Sequence, residues 1–186
     1  MKKYCLLYTA GILLLGCSET GRVPALHDFG VGPLSPPAAG PQNAATAEVR
    51  VIAPKWLSDN RIRYRLLYDQ PTRVRFYNLD QWIAPPPDLL RLYFSSGRLG
   101  PNHSLVIHLV NFEQQFEAPG NAFVLMRFSV EALAADGKKK MSTREFVLRS
   151  GKISPDAQGA VQGFAELAER ARQQVLGWQR EMAKVQ

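Results

Sequence analysis

The sequence predicts an α+β protein, with a single sheet of mostly antiparallel strands and two main helices packed on it. Two groups of short segments alternate apolar with polar residues, as strands do, and a helical pattern follows each group. No internal repeat divides the chain. The 186 residues, of which 46% are hydrophobic, are enough for one packed domain.

The chain begins with the layout of an export signal. Lys2 and Lys3 are followed by a mostly apolar run over residues 4–15, which is too short to span a bilayer as a stable helix. We therefore expect residues 1–16 to be a signal peptide that is removed from the mature protein.

The end of this run, "LLGC", resembles the bacterial lipobox. In that motif the signal is cleaved between a small residue and a cysteine, here Gly16 and Cys17, and the cysteine thiol carries lipid. A single acyl chain binds membranes only marginally, so we expect Cys17 to carry several, palmitate among them. By resemblance to sorted lipoproteins, Ser18 in place of aspartate favours the outer membrane, on the periplasmic side. A plain signal peptide or an uncleaved anchor is the alternative.

Residues 17–46 are predicted to be the lipidated N-terminus and a tether. The stretch "VGPLSPPAAGPQNAA" is rich in proline, glycine and alanine, a composition that buries little surface. The folded domain is expected to occupy residues 47–186. Before the tether, "RVPALHDFGVG" allows one early strand, in which the alternate positions are Val23, Ala25, His27 and Phe29.

The first group of strands is predicted in "AEVRVIAP", "RIRYRLLY" and "TRVRFYN", which we expect to form one antiparallel or mixed sheet. The middle segment alternates strictly, so apolar side chains lie on one face and basic side chains on the other. The apolar set is Ile62, Tyr64, Leu66 and Tyr68, and the basic set is Arg61, Arg63 and Arg65.

The junction "QWIAPPPDLL" is predicted to join this group to a helix. Each proline disfavours helix at the residue before it, so the chain enters extended and Pro87 becomes the first helical residue. Asp88 complements the helix dipole in the first turn. Trp82 therefore lies at a rigid corner, either in the core or as an exposed contact. The apolar face of the helix is Leu89, Leu90 and Tyr93.

The second group contains "SLVIHLVNFEQQF", "AFVLMRFSVEAL" and "MSTREFVLRS", and Asp136-Gly137 predicts a hairpin between the last two. A long helix then starts near Ser154-Pro155-Asp156, with the proline in its first turn. We expect its apolar stripe to pack on the sheet, with partner binding near its end as the alternative. The stripe is Val161, Phe164, Ala168, Ala171, Val175, Trp178 and Met182.

No catalytic or metal-binding motif is recognisable in the sequence. The cysteines are Cys5, inside the signal, and Cys17, so the folded part has no thiol. We predict no enzyme, no catalytic residue, no metal, and no cofactor other than the lipid on Cys17. The histidines His27, His103 and His108 lack paired metal spacing, and no spacing selects an acid pair from Asp80, Asp88, Glu113 and Glu117.

The charge of the mature chain also limits its partners. The full chain carries a formal net charge of +7, and removal of Lys2 and Lys3 leaves 21 basic and 16 acidic residues, a net charge of +5. In an exported protein this excess suits anionic lipid headgroups or an acidic partner, with a merely soluble surface as the alternative. We expect no nucleic-acid partner.

The strand that contains Tyr77, the junction "QWIAPPPDLL" and the lipobox together resemble the signature of the ABC-type transport auxiliary lipoproteins. This family includes paraquat-inducible protein C-like lipoproteins. The likeness extends through "ALHDFGVGPL", "VIAPKWLSDNRIRYRLLY", the central strands and the final helix. Members typically have an arginine before the tryptophan, where this chain has Gln81.

The resemblance implies a fold like the N-terminal domain of TolB and a non-catalytic role. The protein would be an accessory of a transporter of lipids or other hydrophobic molecules, in which it docks an MCE (mammalian cell entry) domain protein that works with a permease and an ATPase. Trp and Arg dominate interface energetics, so the predicted partner-binding residues are Trp82, Arg61, Arg63 and Arg65. Assembly into a homo-oligomer is left open. An independent lipid-binding carrier and an envelope hydrolase are the alternatives.

Overall fold

The computed structural model describes residues 22–30, 48–96, 104–134, 137 and 139–184. The predicted signal peptide, Gly16 and Cys17 lie outside the described residues, as does His103. In chain order the elements are β1 (Ala25–His27), β2 (Val49–Ile52), a 3-10 helix (Lys55–Leu57), β3 (Arg61–Leu66), β4 (Arg75–Trp82), α1 (Pro86–Ser96), β5 (Ser104–Ala118), β6 (Asn121–Leu133), β7 (Lys140–Arg149) and α2 (Ala157–Ala183).

The seven described strands form one sheet, which confirms the predicted fold class. Their order is β1-β4-β3-β5-β6-β7, and β2 pairs with β5 as well. The long pairs β5–β6 and β6–β7 are antiparallel, as is β3–β4. The shorter pairs β1–β4, β2–β5 and β3–β5 are parallel, so the sheet is mixed. Both helices contact the sheet and each other.

The long strand β5 organises the sheet because two short strands share one of its edges. β2 pairs with its first half, where Val49 lies beside Leu105, and β3 pairs with its second half, where Leu66 lies beside Phe116. The 3-10 helix fills the gap between them, and its Leu57 is fully buried. β2 and β3 therefore act as one interrupted strand beside β5.

The early segment forms a strand, as the alternation predicts. β1 runs parallel to β4, and the amide of Ile83 donates to the carbonyl of His27 at 2.8 Å. Beyond β1, Phe29 is buried against Trp82. The folded unit thus includes residues 22–30, which the sequence places in the lipidated tether.

Helix α1 begins one residue earlier than the sequence predicts. Its first residue is Pro86 rather than Pro87, and both prolines fit because amides of the first turn need no partner within the helix. Asp88 lies in the first turn as predicted, and Leu90 is buried. The proline run therefore sets the corner between β4 and α1.

Helix α2 begins at Ala157 with Asp156 as its N-cap, so Pro155 precedes the helix rather than lying in its first turn. The Asp156 side chain accepts the Gly159 amide at 2.7 Å, and hydrogen bonds from Ser154 and this amide lower the pKa of that carboxyl. Close packing on the sheet requires Gly163, because a Cβ there would lie 2.7 Å from Cγ2 of Val124.

The core lies between the helices and the sheet. The ring of Phe112 on β5 stacks on that of Phe164 on α2, with centroids 3.7 Å apart. At the far end of α2, Trp178 is buried and meets Phe146 of β7 edge to face. The core role predicted for the α2 stripe is confirmed for its fully buried members, Phe164, Ala168, Ala171 and Val175.

Candidate partner-binding surfaces

The three arginines of β3 lie on the sheet face opposite the helices, as their alternation predicts. They are not equally accessible to water. The side chain of Arg61 is 52% exposed, whereas those of Arg63 and Arg65 are 3% and 22% exposed. The selection of all three as partner-binding residues is therefore corrected for Arg63 and Arg65, because neighbouring polar groups cover their side chains.

Arg63 is a buried structural residue. Its guanidinium lies 2.8 Å from a carboxylate oxygen of Asp59, and it also donates to the backbone carbonyls of Arg61 and Trp56. Burial lowers the pKa of Arg63, and the nearby charge of Asp59 opposes that shift. With its donors directed inward, Arg63 joins the loop before β3 to the sheet and offers little to a partner.

Arg65 makes a two-point contact with Glu113. Its Nε and Nη2 atoms donate to the two carboxylate oxygens at 3.0 and 3.1 Å, and Gln115 donates to Glu113 at 2.6 Å. Glu113 is buried in the middle of β5. Such a pair fixes the register of β3 on β5, since neither charge can be left alone out of water.

Of the three β3 arginines, Arg61 is the one that a partner or a lipid headgroup could reach. It pairs with Asp59, and its guanidinium carbon lies 3.7 Å from the ring centroid of Phe76 on β4. Burial raises the pKa of Asp59, but hydrogen bonds from Arg61 and the charge of Arg63 outweigh it, so the pKa is lowered overall. Two arginines share this one carboxylate, so the group keeps a positive charge.

Trp82 does not lie on the surface. It is 1% exposed, and its ring meets those of Phe29, Phe112 and Phe164 with centroids 5.5 to 5.9 Å apart. Its selection as a partner-binding residue is corrected for this reason: the rigid corner turns its side chain inward, where it joins the early segment to β4, β5 and α2.

A shallow depression of about 500 Å³ lies between the start of β7 and the end of α2. An ion pair of 2.8 Å between Arg144 and Glu181 lines it. The apolar lining comes from Met141, Trp178 and Met182. The α2 stripe pointed to the last two, but the sequence carries no signal for the ion pair, which joins residues 37 positions apart.

The histidines and acids that could support chemistry are engaged in separate contacts. His27 bonds Asp80 across β1 and β4 at 2.8 Å rather than pairing with its neighbour Asp28. His108 lies 3.9 Å from Glu131, which also binds Lys140.

The four candidate acids do not converge on one site. Each has a separate partner: Asp80 pairs with His27, Asp88 with Arg91, Glu113 with Arg65 and Glu117 with Arg149.

Two further observations concern metal ions and membranes. Over the described ranges, no three His, Cys, Asp or Glu side chains come together in a way that could hold a metal ion. Across the same part of the chain, no helix combines the length and apolar character needed to cross a membrane.

Comparison with known proteins identifies the fold. The chain is similar to the crystal structure of protein XCC0632 from Xanthomonas campestris, a protein assigned to DUF330, with a TM-score of 0.64 and 16% sequence identity. The match covers 86% of this chain and 97% of that one. A second crystal structure, of an uncharacterized protein, matches with a TM-score of 0.56 and 15% identity over 86% and 99% of the two chains. No family model and no curated protein matches the sequence.

Proposed function

We propose that this protein is a membrane-anchored accessory lipoprotein of an ABC-type transport system for lipids or other hydrophobic molecules. It acts as a scaffold in the periplasm, where it docks an MCE-domain protein, and it performs no chemistry of its own. The lipid on Cys17 holds it in the outer membrane, and the α+β domain makes the protein contact.

The observation that supports this proposal is a cysteine in a lipobox-like sequence, five residues before a domain whose fold is similar to that of a DUF330 protein. The tryptophan-proline junction, on which the family resemblance rests, has a clear physical role in that domain. Trp82 fills the core and the prolines start α1, so the motif is one that the fold itself needs.

The binding role is favoured over the two alternatives by the geometry of the described residues. A carrier of acyl chains needs an enclosed apolar cavity, whereas the depression beside α2 is shallow and lined by an ion pair. A hydrolase needs two acids, or a nucleophile and a base, that converge. Asp80, Glu113 and Glu117 each pair with a separate cation or histidine instead.

Crosslinking in the native envelope tests the proposal. The full lipoprotein, tagged after Gln186, is gently crosslinked, purified under non-denaturing conditions and analysed by mass spectrometry for bound proteins and lipid. We expect an MCE-domain protein among the crosslinked products. Excess untagged lipoprotein should reduce the amount of it recovered with the tagged protein. Recovery of the lipoprotein alone with bound lipid would overturn the accessory role in favour of a carrier.

A further inference from the structure

Three apolar side chains are exposed together at the β1–β4 edge of the sheet. Leu26 lies beside Gln81 in the parallel pair, and Leu79 and Ile83 stand two residues to either side of Gln81. Alternation along β4 turns Leu79 and Gln81 to the face opposite Trp82, and Leu26 shares that face as the partner of Gln81. Ile83 follows β4 directly and continues its pairing, since its amide donates to the carbonyl of His27. Leu26 is 57% exposed, Leu79 47% and Ile83 60%. We call Leu26, Leu79 and Ile83 the edge patch.

The edge patch is held close to the point where lipid enters the chain. Cys17 precedes Arg22 by five residues, which span at most about 17 Å when fully extended. Ala25, the first residue of β1, is at most about 28 Å from Cys17 by the same limit. Since β1 is paired to β4, an anchor at Cys17 restrains this edge of the sheet.

The charges near the edge patch suit an anionic surface. Arg61 lies beside Gln81 across β3 and β4, and it shares Asp59 with Arg63, so this group is positive overall. Arg22 is exposed on the side of the anchor. The acid Asp28 lies beyond β1, where it accepts the amide of Gly30.

We infer that the edge patch rests on the bilayer to which Cys17 is attached, with Arg61 and Arg22 at the anionic headgroups. This inference rests on the proposed lipoprotein function and adds an orientation to it. Apolar faces of interfacial amphipathic helices lie about 5 to 10 Å into the boundary between headgroups and acyl chains, and we place the side chains of the edge patch in the same layer. The sheet face at β1 and β4 then lies against the membrane, and the twist of about 20 to 25° between neighbouring strands turns the same face at β7, about 24 Å away across five strand spacings, towards the periplasm.

A depth-sensitive fluorescence measurement tests the orientation. In the mature lipoprotein an introduced cysteine is the free thiol, because Cys5 leaves with the signal and Cys17 is acylated. Ile83→Cys is labelled with a polarity-sensitive dye in the full lipoprotein, which is placed in phosphatidylethanolamine and phosphatidylglycerol vesicles with brominated acyl chains. The matched control is Val147→Cys on β7, which is 58% exposed on the same sheet face.

We expect brominated lipid to quench the dye at position 83 severalfold more than the dye at position 147. Equal, weak quenching at both positions in lipoprotein that floats with the vesicles would overturn the orientation alone. Lipoprotein that fails to float lacks the anchor, and this outcome would overturn the proposed function and the orientation together. If the dye at position 83 is shielded in cells but not quenched by vesicle lipid, the edge patch contacts a protein instead, which also overturns the orientation.

Discussion

At the scale of single residues, burial rather than residue type decides which side chains are free to bind. Trp82 and Trp56 are both tryptophans near strand ends, yet Trp82 is 1% exposed and Trp56 is 52% exposed. Sequence alternation assigns a residue to a face of a strand, but it does not show what lies over that face. The aromatic groups that cover Trp82 come from positions as distant as Phe29 and Phe164.

Replacement of Trp82 by alanine is expected to destabilise the domain by about 3 to 5 kcal/mol, because the cavity would lie among three aromatic rings. Trp56→Ala is the matched control and should change the free energy of unfolding by less than about 0.5 kcal/mol. Urea unfolding followed by circular dichroism measures both. Similar small losses in the two variants would contradict the core role of Trp82.

Replacement of Arg65 by alanine is expected to cost about 3 to 5 kcal/mol, because it leaves the buried Glu113 carboxylate without its cation. The double variant Arg65→Ala/Glu113→Ala should lose less than the sum of the two single variants. Arg61→Ala, at an exposed pair, should cost no more than about 1 kcal/mol. Equal losses for Arg61→Ala and Arg65→Ala in urea unfolding would show that the burial of the pair is unimportant.

The burial of Arg63 and Arg65 also decides which substitutions of the three β3 arginines can test partner or lipid binding. Changing all three arginines to glutamate would place like charges beside Asp59 and Glu113, so we expect that variant to unfold. Arg61→Glu is the informative substitution for partner or lipid binding, since Arg63 keeps Asp59 as its partner.

At the scale of elements, the sequence predicts most strands and both helices, and the differences have local causes. Helix starts shift by one or two residues because proline fits several positions around a first turn, whereas the Asp156 cap is fixed by its bond to Gly159. Strand pairing was not predictable in full. The parallel pairing of β2 and β3 with one long β5 depends on contacts about 50 residues apart, which periodicity does not contain.

The contact between α1 and α2 gives a pH dependence that can be measured. Tyr93 on α1 and Arg172 on α2 both donate to Glu169, and hydrogen bonds from Arg172 above all lower the pKa of Glu169 to about 2. A lowered folded-state pKa stabilises the fold above the ordinary value of 4.5, and this contribution is lost as the pH falls from 4.5 towards 2.

Glu169→Gln should therefore destabilise the domain at pH 7 by about 1 to 2 kcal/mol, a value reduced for partial exposure of the side chain. The difference from the wild type should shrink as the pH falls from 4.5 to 2. Glu166→Gln, whose contact with Arg170 is exposed and 3.7 Å long, is the control and should have little effect. A gap between Glu169→Gln and the wild type that is independent of pH would contradict the assigned ionisation.

At the scale of the whole molecule, the folded unit includes a segment that precedes the predicted domain. The predicted domain of residues 47–186 omits residues 22–30, although these supply an edge strand and the buried ring of Phe29. The length and composition of this segment explain why the sequence predicts its strand only weakly. The strand has three residues, which are too few to show a clear period, and a proline-rich sequence follows it. The segment is stabilised by the contacts of Phe29 with aromatic rings distant in sequence.

A chain that begins at residue 48 is consequently expected to be less stable than one that begins at residue 22 by about 3 to 5 kcal/mol. Two effects add to this loss of stability. The apolar burial of Phe29 is removed, and Trp82, which Phe29 covers, becomes exposed. The control keeps residues 22–30 and replaces residues 31–47 by a glycine-serine linker of equal length, which should leave the urea midpoint nearly unchanged. If the chain from residue 48 matched that control, β1 would be an accessory strand and the proposed anchor would not orient the domain. A large difference would instead mean that the segment that follows Cys17 is part of the core, so that a pull on the proposed lipid anchor would act on the whole fold.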